Sequence, residues 1–193
     1  MFLSTLIYSL CTTYMPEDVN IYIIDFGSES LRVHEKFPQV GDIVFASERD
    51  KLLKLMGLIG DEIQSRKKLF ADYNGEYKNY IKNSGKRIPL KVIIINNYDS
   101  FKESYSVLEE TLIKYTREGE RYGIIFIISA TNSHSIYSKV ERNFHNTFVL
   151  DMPDKSAYVD ILGKIGNVYP AEFDGRGLFR KDEVYEFQTA QIC

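Results

Sequence analysis

KVIIINNYDS, residues 91–100, decides the fold. Val92–Ile95 are consecutive β-branched apolar residues, and they run directly into the amides Asn96 and Asn97. A run this short and this apolar reads as a strand buried on both faces, the habit of parallel sheets. Ligands of open α/β sheets bind at the carboxyl ends of such strands. Here that end carries side chains that neither ionise nor act as a base.

Outward from this strand the pattern repeats. IYIIDF (21–26) is an apolar strand ending at Asp25, preceded by an amphipathic helix with Leu3, Leu6, Ile7, Leu10 and Tyr14 at helical spacing. A polar stretch with Gly27, Pro38 and Gly41 leads to a long helix, roughly 48–70. Its apolar stripe is Leu52, Leu55, Met56, Ile59, Ile63 and Phe70, and its outer face is Asp50, Lys54, Asp61, Arg66 and Lys67. Gly57 and Gly60 each cost about 1 kcal/mol relative to Ala in a helix, which points to close packing at both. A short helix within 72–88 precedes the strand 91–95, and a helix over about 99–118 follows it. YGIIFIISA (122–130) is a second fully apolar strand, SIYSKVERNF a short helix, NTFVL a strand and DKSAYVDILG a further helix. The tail GRGLFRKDEVYEFQ reads as two strands turning at Lys181–Glu183.

Strands alternating with helices predict an α/β fold: a mostly parallel sheet with helices on both faces and a C-terminal antiparallel edge hairpin. No repeat, low-complexity tract or linker interrupts residues 1–193, which read as a single domain. Apolar residues make up 44% and charged residues 26%, ordinary for a soluble globular chain, and a net charge of −3 argues against a dedicated nucleic-acid surface. Residues 1–16 lack the basic region and cleavage site of a signal peptide and are too short and hydroxyl-rich to span a bilayer. Cys11 and Cys193 have neither metal nor disulfide spacing, as in a reducing compartment. His34, His134 and His145 form no cluster, so no metal site is expected.

The strand tips are Asp25-Phe26-Gly27, Asn96-Asn97-Tyr98 and Ser129-Ala130-Thr131. They supply the candidate binding residues Asp25, Asn96, Asn97 and Thr131; none qualifies as catalytic. Asp25 could hold a cation-bound water or cap the turn after it. Thr131 could meet a phosphate or open the following helix. The phosphate-cradling pattern GxxxxGK[ST] does not occur in the 193 residues. The chain opens on the helix and strand that normally follow such a loop.

Taken in order, these segments resemble the FtsK/SpoIIIE-type motor ATPases, hexameric RecA-like machines of the P-loop NTPase class. IIDFGSESLRVHEKFPQVGDIV is similar to that family's second-strand segment and DEIQSRKKLF to its E-M-x-x-R-Y helix. IPLKVIIINNYDSF falls where the Walker B strand belongs, and TREGERYGIIFIISATNS looks like the ARAAGIH…ATQRPS stretch. NTFVLDMPDKSAYVDILG with GRGLF resembles the closing region. Within the family, YIIDFGSESLR, RKKLF, GRGL and VYEFQTA resemble the EssC/EccC-type motors of type VII secretion, above all the middle one of their tandem ATPase domains.

The resemblance implies a RecA-like sheet lacking its first strand and P-loop, the chain starting just after the expected Walker A loop. It implies ATP and Mg²⁺ as cofactors of the intact domain, with none bound by this chain. It places the chain at the cytoplasmic face of the cell membrane, in a hexameric motor with adjacent ATPase domains that exports small helical WXG-type proteins. Asn96 and Asn97 stand where the family carries an Asp that holds a Mg²⁺ water and a Glu that polarises the attacking water. An amide cannot accept that proton, and losing a positioned base removes ~10²–10⁴-fold of rate. The expectation is a degenerate motor-ATPase domain. The alternatives are a non-catalytic interaction module that regulates neighbouring ATPase domains, and an FtsK-like DNA translocase domain. Arg142 and Arg176 could face a neighbouring subunit's nucleotide, or could be a solvated helix charge and a hairpin anchor.

Overall fold

The alternation is realised as α1 (Phe2–Thr13), β1 (Val19–Asp25), β2 (Val40–Phe45), α2 (Arg49–Leu69), α3 (Tyr77–Ser84), β3 (Leu90–Asn96) and α4 (Tyr98–Ser104). It continues through α5 (Glu109–Gly119), β4 (Ile124–Ile128), α6 (Ser138–Glu141), β5 (Phe148–Leu150), α7 (Lys155–Leu162), β6 (Arg176–Arg180) and β7 (Val184–Gln188). The computed structural model describes residues 1–132, 135–136, 138–166 and 168–191. His134 and Cys193 lie outside the described residues. Contacts divide the chain into two units, residues 10–143 and residues 1–9 with 144–193.

In the larger unit a parallel sheet runs in the order β2-β1-β3-β4. Ile93, Ile94 and Ile95 are all fully buried, as are Ile23 and Ile24 on β1. Successive strand residues point to opposite faces, so burial at consecutive positions means that both faces of the sheet are covered. The register pairs Asp25 with Asn96 and Ile95 with Ile128, which sets the carboxyl tips of β1, β3 and β4 side by side.

Three elements differ from the sequence reading. The polar stretch before α2 contains β2, where Gly41 and Asp42 interrupt an otherwise apolar run. A Cβ at Gly41 would meet the Tyr22 ring at 2.8 Å, so the glycine belongs to the strand rather than ending it. At the outer side of β2, Asp42 and Glu48 accept the Ile43 and Phe45 amides and Lys51 donates to the Ile43 carbonyl. The helix expected over 99–118 is divided at Tyr105, whose backbone leaves the helical region at φ −137°. There the Tyr105 ring packs edge-on to Phe26 at 5.5 Å and its hydroxyl donates to the Ala46 carbonyl.

Arg66 is the third. It was expected on the charged outer face of α2, yet it is 1% exposed. Its Nη1 donates to the Tyr122 and Gly123 carbonyls at 2.9 and 3.1 Å, its Nη2 to the Pro89 carbonyl at 2.6 Å, and its Nε to Glu62 at 2.7 Å. The guanidinium fork thus fastens the chain just before β3 and just before β4. Of the two helical glycines, Gly60 packs so closely on the Tyr115 hydroxyl that a Cβ would clash, whereas a Cβ at Gly57 would meet nothing.

The smaller unit holds the C-terminal hairpin, β6 with β7, which joins β5 in a three-stranded antiparallel sheet. Its core is Val149, Tyr158, Leu162, Ile165 and Leu178, and the Asp154 carboxylate caps α7 by accepting the Ser156 amide at 2.8 Å. Among the described residues, no helix is long and apolar enough to cross a membrane.

Candidate functional site

The three parallel tips meet in a directional chain of hydrogen bonds. The Asn97 amide N–H donates to Ser129 Oγ at 3.0 Å, and Ser129 Oγ donates to Asn96 Oδ1 at 2.8 Å. Asn96 Nδ2 then donates to Asp25 Oδ1 at 2.8 Å. Asn96 is used at both ends, as acceptor from β4 and as donor to β1. A carboxylate at this position could not donate to Asp25.

Asp25 is 1% exposed and takes further hydrogen bonds from the Gly27 amide at 2.9 Å and the Leu31 amide at 3.3 Å. It therefore caps the turn after β1. Gly27 is required by this arrangement, because a Cβ there would stand 2.7 Å from Asn96 Nδ2. Asn97 adopts the left-handed conformation at φ 63°, which Asn tolerates better than most side chains. Its Oδ1 accepts the Ser100 amide at 3.3 Å and caps α4, while its Nδ2 reaches Ser100 Oγ at 2.9 Å and the Phe26 carbonyl at 3.3 Å.

Thr131 sits beyond the β4 tip and is occupied by Asp99. Its amide and its hydroxyl both donate to Asp99 Oδ2, at 2.8 and 2.9 Å. Burial pushes the Asp99 carboxyl up, but hydrogen bonds from Ser135 and from Thr131 outweigh it and hold the group below its usual range. Nearby, Tyr98 is fully buried and donates to Glu109 at 3.1 Å; burial first, then the Glu109 charge, pushes its phenol far up.

Asp25, Asn96 and Asn97 are thus brought into one network, with Thr131 in an adjoining one. The arginines are not part of either. Arg142 is exposed just after α6, and Arg176 on β6 faces Glu186 on β7 at 3.5 Å. Ser129 and Asp99 were not singled out from the sequence. The hydroxyl at the end of a buried strand and the acid two residues after the amide pair were the available signals.

These residues do not fit a hydrated Mg²⁺. The Asp25 carboxylate is taken by backbone and amide N–H groups, and the Asn96 amide is satisfied at both ends. In the strand-tip network the Ser129 hydroxyl donates to an amide oxygen and not to a carboxylate, so that contact pairs no nucleophile with a base. What the network does provide is a rigid junction between adjacent strand ends.

A sequence profile of the FtsK/SpoIIIE family matches residues 1–170. The chain is 30% identical to the type VII secretion system protein EssC of Staphylococcus aureus (strain MRSA252), over 98% of this chain and 13% of that protein. It is also 30% identical to the ESX secretion system protein YukB of Bacillus subtilis (strain 168), over 94% of this chain and 12% of that protein. Among solved structures it is similar to EssC (ATPases 2 and 3) from Geobacillus thermodenitrificans, with a TM-score of 0.88 and 27% identity over 94% of this chain and 35% of that one. The chain therefore spans roughly an eighth of the full-length relatives it matches.

Proposed function

The chain belongs to the FtsK/SpoIIIE family, and from that premise we propose that it is a degenerate motor-ATPase domain of a type VII protein secretion system. In this reading it is a single RecA-like domain of a longer motor at the cytoplasmic face of the membrane, flanked by further ATPase domains in a hexamer that exports small helical proteins. Its contribution to ATP-driven export is regulation, or nucleotide binding without efficient hydrolysis. The observation that carries the reading is Asn96, whose amide is consumed by Asp25 on one side and Ser129 on the other. A side chain so committed is a strut between strands, and no hydrolytic step is assigned to it.

The test is ATP turnover by the purified protein and by its Asn96→Ala and Asn97→Ala variants, alongside export of a helical substrate from cells carrying each variant. Turnover should be unchanged while export falls. A loss of turnover in the ~10²–10⁴-fold range of a removed base would overturn the reading.

A second reading, a non-catalytic module that only regulates neighbouring ATPase domains, is favoured by Thr131, both of whose donors are already taken by Asp99. Calorimetric titration with ATP separates the two. Binding at some Mg²⁺ concentration supports the nucleotide-sensing form, and none at any concentration leaves the interaction module.

A further inference from the structure

Asn74, which is exposed, and Gly75, which is half-buried, form an Asn-Gly pair between α2 and α3. Both have positive φ, 58° and 67°, the backbone of a type I′ turn. Asn-Gly is also the dipeptide most open to spontaneous deamidation, because glycine leaves the amide nitrogen after the asparagine unhindered.

We infer that Asn74 is a latent self-modification site and that Arg121 holds it shut. Arg121 Nη2 donates to the Asn74 carbonyl at 3.0 Å and its Nε donates to the Gly75 carbonyl at 3.0 Å. The Gly75 amide donates to the Phe70 carbonyl at 2.9 Å. Two carbonyls and one N–H of the turn are thereby engaged.

The chemistry needs only water. The deprotonated Gly75 nitrogen attacks Asn74 Cγ, a C–N bond forms, the Cγ–Nδ2 bond breaks, and the side-chain nitrogen leaves as ammonia. Water then adds to either carbonyl of the cyclic imide and leaves aspartate or isoaspartate at position 74.

The observed turn opposes the first step twice. The Gly75 N–H is held by Phe70, which disfavours its deprotonation. With ψ of Asn74 at 18°, the Gly75 nitrogen points away from the Asn74 side chain, so ring closure requires a large rotation of that peptide. The same rotation swings the Asn74 carbonyl off Arg121. Reaction is therefore confined to a locally opened state, and Arg121 sets how often that state forms. Conversion to isoaspartate would insert a methylene into the backbone and dismantle the turn joining α2 to α3.

The test is peptide mapping by mass spectrometry of the full chain incubated at mildly alkaline pH, beside a free peptide spanning residues 70–78. Wild type should deamidate at Asn74 at least ~10-fold more slowly than the peptide, and Arg121→Ala should recover ~10-fold of that difference, as expected for two lost hydrogen bonds. Arg121→Lys, which cannot span both carbonyls, should fall between them. Equal rates in wild type and peptide, or in wild type and a folded Arg121→Ala, would overturn the inference. So would a Gly75 amide that exchanges with deuterium in wild type as fast as in the peptide, a readout independent of how the variants fold.

Discussion

Asn96 donates from Nδ2 to Oδ1 of Asp25 at 2.8 Å, across the paired ends of β3 and β1. The contact joins residues 71 apart in sequence and gives the amide pair its physical reason. Where an acid would place two carboxylates face to face, an amide supplies the donor that Asp25 accepts.

Asn96→Asp should therefore destabilise the fold at pH 7 by about 1–3 kcal/mol, through a lost hydrogen bond and like-charge repulsion. In the variant the introduced carboxyl would be raised above its unfolded value. Its penalty is then absent below about pH 4 and grows as pH rises through the folded-state value. Denaturant unfolding at pH 7 and pH 4 checks this; an equal deficit at both would exclude repulsion as the cause.

Arg66→Met should cost about 3–5 kcal/mol, since it leaves the carbonyls of Pro89, Tyr122 and Gly123 and the Glu62 carboxylate without their donor. Arg66→Lys should recover little, because a single ammonium cannot reproduce a planar fork. Equilibrium unfolding of both variants decides it; a Lys variant as stable as wild type would show that charge, and not geometry, is what the site requires.

The two glycines of α2 should respond in opposite directions. Gly57→Ala meets nothing and should stabilise by up to about 1 kcal/mol through helix propensity and a less flexible unfolded chain. Gly60→Ala drives a methyl into the Tyr115 hydroxyl and should destabilise by about 1–3 kcal/mol. Thermal melts of the pair give the comparison. A destabilising Gly57→Ala would place an unrecognised neighbour against that face.

His34 is 5% exposed, stacks on Phe37 at a centroid distance of 6.0 Å, and its Nε2 has no hydrogen-bond partner among the described residues. Burial lowers its proton affinity. The folded state therefore binds fewer protons than the unfolded one, and stability should fall as pH drops below about 6.5, levelling once the folded-state value is passed. His34→Gln should flatten this part of the profile. Melting temperatures for wild type and variant between pH 7.5 and 5 report it; parallel profiles would assign the dependence to other groups.

Much of the fold was legible. The runs at Ile21–Ile24, Val92–Ile95 and Ile124–Ile128 are apolar at consecutive positions and each forms a strand of the parallel sheet, with Val92–Ile95 buried throughout, as a strand covered on both faces is. The stripe Leu52, Leu55, Met56, Ile59 and Ile63 has one helical face and buries it. β2 was hidden because Gly41 falls in a polar stretch that reads as a connection, and only the Tyr22 ring against Gly41 explains the glycine as part of a strand. The candidate residues Asp25, Asn96, Asn97 and Thr131 were identifiable as strand tips, because a parallel sheet aligns its carboxyl ends.

By itself, then, the sequence determined the strands of the parallel sheet other than β2 and the residues that end them, since both follow from local periodicity and β-branching. Only the tertiary structure decided what those ends do. Asn96 finds Asp25 and, 33 positions away, Ser129; Thr131 finds Asp99; and Arg66 turns inward to carbonyls before β3 and β4. Each is a polar group withdrawn from water, and whether its partner waits there depends on sheet register and helix docking, which no local pattern encodes.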